Sequence, residues 1–278
     1  MSYPRIDAHH HLWKYSPPEY PWITDNMGSL RREFLIPDLV NVMQESGIDG
    51  VITVQARQMV EETRWLLELA CYHDFIRGVV GWIPLVDPKV QVHLEYFSAN
   101  AKLKGVRHVI HDEPDDFYVL REDFNRGIEL LKHFDLRYDL LIVERHLPQT
   151  IEFVDRHPHQ IFILDHIAKP KVRDRVISPW RENITELARR ENVFCKLSGI
   201  VTEASWESWT EKDLEPYFQT TLAAFGPERI MFGSDWPVIR LASSYKRWVD
   251  VVQHCISQLS QYEQARILGE TATEVYRL

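Results

Sequence analysis

Short runs of β-branched and apolar residues recur along the chain, separated by longer stretches in which apolar residues return every three or four positions. The first kind reads as buried strand and the second as amphipathic helix. Eight strand-like runs stand out, at residues 5–12, 50–56, 78–85, 104–111, 137–143, 161–167, 193–199 and 229–235. Between them, IPDLVNVMQESG carries Pro37 near its start and Gly47 at its end, and HLPQTIEFVDRHP stops before Pro158. Both are helix punctuation of the ordinary kind. Eight alternations predict an α/β fold, a (β/α)8 TIM barrel, and no Pro/Gly-rich linker divides residues 1–278 into more than a single domain. An open doubly wound sheet is the alternative, but no GxGxxG or GxxxxGK[ST] stands at any strand-to-helix junction.

The polar residues are unevenly placed on this pattern. The runs end in HHHLW, VQAR, RHVIHDE, LDHIAKP, CKLSG and GSDWP, whereas their beginnings carry only simple polar caps. In a barrel these ends gather at one mouth, where the chemistry of such folds resides. Polar groups there are costly to desolvate unless they pair or bind something.

Composition narrows the partners. With 45% hydrophobic and 12% aromatic residues in 278, the chain can fill a large core. Its net charge of −9 and its lack of a Lys/Arg block exclude a general nucleic-acid or anionic-membrane surface. Cys71, Cys195 and Cys255 are far apart and form no CxxC, so neither a disulfide framework nor a cysteine zinc site is expected. No apolar run is long enough to cross a membrane, and the polar N-terminal stretch does not read as a signal peptide. A cytoplasmic protein acting on a small molecule is the expectation, with a homo-oligomer left open.

RIDAHHHLW opens the chemistry. Three histidines between Ile6 and Leu12, followed by Trp13, are unlike a purification tag. Strand alternation puts His9 and His11 on one face with Asp7, and His10 on the other. Their Cα atoms then lie about 6.6 Å apart, within reach of one zinc. In MFGSDWP, Asp235 ends the last run as an ionised carboxylate or as a helix cap. His166 in LDHIAKP faces away from Asp165 and enters the mouth if the strand keeps its register. Lys196 shares a face with Ser198, and Gln55 with Arg57. Arg107 and His108 lie on opposite faces, so only one can point inward, and the sequence does not choose. Trp13, Trp22, Trp82 and Trp236 fall near the mouth, either to stack on a sugar ring or to pack. Residues 14–33 make a loop too long for a routine connection, the kind that forms a lid or a binding loop.

Taken together, IDAHHHLW, LDHIAKP and MFGSDWP make the chain resemble the amidohydrolase superfamily, in particular its branch of sugar-acid lactonases of the L-fucono- and L-rhamnono-lactonase type. The resemblance covers essentially the whole chain. It implies a barrel with His9 and His11 as the first-strand pair, Asp235 as acid and base, and hydrolysis as the reaction. His166 joins His9, His11 and Asp235 in the candidate ligand set. The chain departs from two-metal members, with Arg107 and His108 where a bridging Lys or Glu is usual and no His in RYDLLIV. The resemblance therefore implies one divalent ion, zinc, or catalysis without metal, and not a pair of ions.

A lactone is an ester, so its opening needs an activated water, a stabilised oxyanion and a proton for the leaving ring oxygen. Asp235 can take the proton and return it. Zinc on His9 and His11, or His166 with an arginine, can hold the oxyanion. Trp13, Gln55, Arg57, Arg107 or His108, and Lys196 are candidates to grip the sugar. No GxSxG supports a serine hydrolase. Two rivals remain, a metal-dependent decarboxylase of the same general type and a non-catalytic binding barrel.

Overall fold

In the computed structural model, which describes residues 3–278, eight strands form one parallel sheet in sequential order. They are β1 Ile6–His10, β2 Gly50–Val54, β3 Ile76–Gly81, β4 Leu103–Val109, β5 Arg137–Leu141, β6 Phe162–Leu164, β7 Val193–Leu197 and β8 Ile230–Phe232. The sheet closes where Asp235 N–H donates to His9 O at 2.8 Å and His11 N–H to Trp236 O at 2.7 Å. This is the (β/α)8 barrel expected from the alternation. The principal helices after successive strands are α1 Ile36–Ser46, α2 Val60–Tyr72, α3 Val90–Ser98, α4 Glu122–Leu131, α5 Leu147–Arg156, α6 Trp180–Leu187, α7 Glu211–Phe225 and α8 Tyr245–Cys255. Two short ones, α9 Gln261–Ala265 and α10 Thr271–Tyr276, end the chain.

Helices cover the outside of the sheet and side chains fill its inside, so the strands are buried on both faces and read as continuous apolar runs. Inside, Ile6, Ala8, Ile52, Val54, Val80, Ile163 and Met231 meet Ala272, Val275 and Tyr276 of α10, which stoppers the end of the barrel where the strands begin. The opposite end stays open. As its punctuation predicts, α1 stops at Gly47, whose φ of 66° suits glycine.

All eight strands end sooner than their apolar runs, five of them by two residues and β3, β6 and β8 by three or four. β6 and β8 stop at Leu164 and Phe232, and β3 stops at Gly81, before Pro84. In β1 the pairing register shifts between Asp7 and His10. Ile6 and Ala8 face inward, while Asp7 accepts from Ser234 N–H (2.8 Å), Ser234 Oγ (2.6 Å) and the Tyr245 hydroxyl of α8 (2.8 Å). Asp7 is therefore not on the face of His9 and His11, because the irregularity resets the alternation that placed it there. The loop 14–33 is pinned at its base by Trp13 and Phe34, which exchange backbone hydrogen bonds at 3.0 and 2.9 Å.

Candidate active site

The open mouth holds a cavity of about 410 Å³. Its polar wall includes His11, Arg107, His111, His166, Lys169 and Asp235, and its apolar wall includes Trp22, Met27, Trp206, Val238 and Leu241. Trp22 and Met27 come from the loop 14–33, so that loop forms part of the wall, as its length predicts. A cavity of similar size, about 430 Å³, lies outside the barrel against α7 and is lined mainly by Phe218, Leu222, Ile230, Ile256 and Ile267. Its one imidazole, His254, is exposed and paired with Glu211 at 2.6 Å, whereas the mouth gathers several buried imidazoles around a buried carboxylate, so the chemistry belongs to the mouth.

At the floor of that mouth, ligand-type atoms of His9, His11 and Asp235 lie within 4.8 Å of one another, and His166 stands beside Asp235. His9 Nε2 is 3.3 Å from His11 Nε2, and Asp235 Oδ1 lies 3.8, 3.4 and 3.9 Å from the Nε2 atoms of His9, His11 and His166. Ligands at zinc's ordinary distances in a tetrahedron stand about 3.3 Å from one another, so these spacings suit one ion. His11 Nδ1 donates to Val54 O at 2.8 Å, which leaves a lone pair on its Nε2. That lone pair faces His9 Nε2, an arrangement a cation between them would relieve. His166 Nδ1 pairs with Ser198 Oγ at 2.8 Å. Fixing the far nitrogen of a ligand imidazole in this way orients the near one.

Beneath the floor lies a buried ionic layer. Asp165 pairs with Arg107 (3.0 Å), Lys196 (3.1 Å) and His9 Nδ1 (3.2 Å). Lys196 also contacts Asp139 at 2.5 Å, and the Tyr276 hydroxyl donates to Asp139 at 2.9 Å. All of these side chains are buried. Burial opposes ionisation of Asp165, but Lys196, His9 and Arg107 outweigh it and hold the carboxyl well below its ordinary value. Asp235 is similar: burial raises its pKa, while His166, His11 and His9 carry it well below. Burial pushes His9 far below the usual imidazole value and His166 down to about 4, although Asp235 and Asp165 oppose the latter shift. At neutral pH the floor thus holds an ionised carboxylate beside the neutral imidazoles of His9 and His166.

The backbone that delivers these groups is unusual. His166, Ile167, Ala168 and Lys169 have φ of 53°, 48°, 61° and 45°, and Asp235 has 57°. Four successive non-glycine residues in this region would cost roughly 1–2 kcal/mol each. The surroundings hold them: Ile167 and Ala168 are fully buried, and Trp180 Nε1 donates to Ile167 O at 2.8 Å. The left-handed turn brings both Asp165 and His166 toward the floor, which a continuing strand could not do.

His9, His11, Arg107, His166 and Asp235 therefore come together. Gln55 and Lys196 lie just below the cavity wall: the Gln55 carbonyl receives Arg107 Nη2 at 2.5 Å, and Lys196 has no exposed surface. Of the strand-four pair, Arg107 points inward. His108 points outward, stacking on Tyr118 with ring centres 5.0 Å apart and bonding Glu113 at 2.6 Å. Arg57 is spent on Glu19 and Glu62 at the base of the long loop. Trp13 is fully buried between Tyr20, Trp22 and Phe34, its indole donating to Arg32 O. None of these three side chains reaches the cavity, because each finds its partners in the loop or the helix layer outside the strand ends. Sequence reasoning missed Asp139, Asp165, His111, Lys169, Glu203 and Trp206. Asp165 and Lys169 were visible as the polar residues flanking His166, but strict alternation sent the first away from the site.

A family model described as amidohydrolase matches residues 6–278. An L-fucono-1,5-lactonase of Burkholderia multivorans is 40% identical over 99% of this chain and 96% of its own length. An L-fucono-1,5-lactonase of Burkholderia ambifaria is 33% identical, with 99% and 96% covered. A crystal structure of an amidohydrolase from Burkholderia multivorans with bound zinc superposes with a TM-score of 0.96 at 40% identity, covering 99% of both chains.

Proposed function

The chain belongs to the amidohydrolase family, and on that premise we propose that it is a lactonase that opens sugar-acid lactones, L-fucono-1,5-lactone foremost, with Asp235 moving the proton. The observation that carries this reading is an ionised carboxylate on the floor of a 410 Å³ cavity, ringed by imidazoles and an inward-pointing arginine. The relatives supply the substrate class. The cavity lies in the size range that takes small ligands.

The steps follow from the residues. Asp235 accepts a proton from water as the water oxygen bonds to the lactone carbonyl carbon. His166, oriented by Ser198, and Arg107, fixed by Asp165 and the Gln55 carbonyl, face the developing oxyanion. Asp235 then returns its proton to the ring oxygen as the carbon–oxygen bond breaks. The product acid ionises and releases one proton. The residues fit a single zinc ion: His9, His11 and Asp235, whose ligand atoms all lie within 4.8 Å of one another, would hold it, and when bound it would supply Lewis acidity and a more acidic water. The buried ionic layer keeps His9 aimed at that position whether or not the ion is present.

A panel of aldonolactones, followed by proton release and corrected for spontaneous hydrolysis, tests the reading. L-fucono-1,5-lactone should be among the best substrates. Release from none of them, or carbon dioxide formed from a small carboxylic acid instead, would overturn it.

A further inference from the structure

Most charged groups at the mouth are committed to tight partners, and one pair is not. Arg107 is anchored by Asp165 and the backbone carbonyl of Gln55 and contacts His9 Nε2 at 3.2 Å. Lys169 and Glu203, both on the cavity wall, stand 3.8 Å apart, too far for a hydrogen bond. Their side chains are 24% and 29% exposed, so they are largely shielded from water yet incompletely satisfied by each other. Lys169 ends the left-handed run that begins at His166, so the turn that delivers His166 to the floor also sets this ammonium on the wall beside it. Burial raises the Glu203 pKa, which marks a carboxyl short of donors, although Lys169 opposes that shift. Trp206, next to Glu203 on the same wall, offers an aromatic face and is held by its indole N–H donating to Thr202 O at 2.8 Å.

An ammonium has only donors to offer and a carboxylate only acceptors. Side by side at a cavity wall, they complement vicinal hydroxyls, each of which both gives and takes a hydrogen bond. Bonds to charged groups are also about twice as strong as neutral ones. We infer that Lys169 and Glu203 form a clamp that reads the hydroxyl-bearing edge of the substrate, and so makes the site select polyhydroxylated lactones over bare ones. The inference rests on the lactonase reading and deepens it. The clamp binds and orients the sugar, while Asp235 serves the chemistry.

The test compares wild type with Lys169→Met and Glu203→Gln, on L-fucono-1,5-lactone and on unsubstituted δ-valerolactone. It also measures calorimetric binding of the non-hydrolysable L-fucono-1,5-lactam. Loss of charge-assisted bonds should lower kcat/KM for the sugar lactone ~10- to 100-fold more than for δ-valerolactone, chiefly through KM. Lactam affinity should fall by the same factor. Equal losses on both lactones, or unchanged lactam binding in both variants, would overturn the clamp, as would a wild type that binds no lactam. A wild type that binds lactam but opens no lactone would sink the lactonase reading alone, because the lactam comparison still tests the clamp.

Discussion

Asp165 and Lys196 show what single residues do here and why sequence alone misassigned them. Alternation made Lys196 a candidate for the substrate and sent Asp165 outward, yet both lie in a buried ionic layer with Asp139, Arg107 and His9. A charge pattern on a strand gives its face but not its depth, so a ligand-facing lysine and a supporting one look alike. Removing Lys196 should be severe: Lys196→Met leaves Asp139 and Asp165 buried and undercompensated, at a cost of about 3–5 kcal/mol, read from the urea midpoint. Pairing it with Asp139→Asn should restore part of that loss, since the two side chains are in direct contact. Protonation follows the same burial. His166 is pushed down to about 4 and His10 to about 3, both chiefly by burial. Each is neutral when folded and titrates near 6.5 when unfolded, so the unfolded chain binds more protons below that value. The contribution of these two imidazoles to stability should therefore be full above pH 6.5 and decline as pH falls toward about 4. Asp7, Asp139 and Glu62 partly offset that decline, since burial raises their carboxyls to about 6, 6 and 7. The contribution is measured as the difference in urea midpoint between wild type and His10→Gln across pH. Activity should hold from neutrality to about pH 5 and fall near 4, with an apparent pKa that belongs to the coupled site.

Among the elements, strand ends matter more than strands. The eight apolar runs were legible because strands buried on both faces need continuous β-branched sequence. Their ends were not, because the left-handed residues beyond β6 and β8, His166 to Lys169 and Asp235, are not glycines and so do not announce themselves. Gly199, just past β7, is the readable counterpart. Its φ is 65°, and a Cβ there would stand 2.5 Å from His166 Nδ1. Gly199→Ala combines backbone strain of roughly 1–2 kcal/mol with displacement of the His166 ring. We expect kcat/KM to fall more than about tenfold, as for a misplaced catalytic group. Melting should shift only modestly. A variant with the activity of wild type would mean that His166 tolerates a different position.

At the scale of the whole molecule, alternation and polarity were enough to orient the barrel and locate its mouth. They could not say which long-range partners claim Arg57, His108 and Trp13, since those contacts depend on how the loop 14–33 and the segment after β4 fold back. What the barrel achieves is convergence: β1, β4, β6 and β8, far apart in sequence, set His9, Arg107, His166 and Asp235 around one point, while α10 seals the other end. Of these groups, Asp235 is the one the chemistry needs in a defined protonation state. The most direct measurement is the turnover of L-fucono-1,5-lactone by Asp235→Asn beside wild type, with background hydrolysis subtracted and folding checked by circular dichroism. Asparagine keeps the shape but cannot take the proton, so kcat should fall by at least about 10² to 10⁴ while the lactone still binds. A folded Asp235→Asn enzyme that turns over this lactone at the wild-type rate would contradict the account.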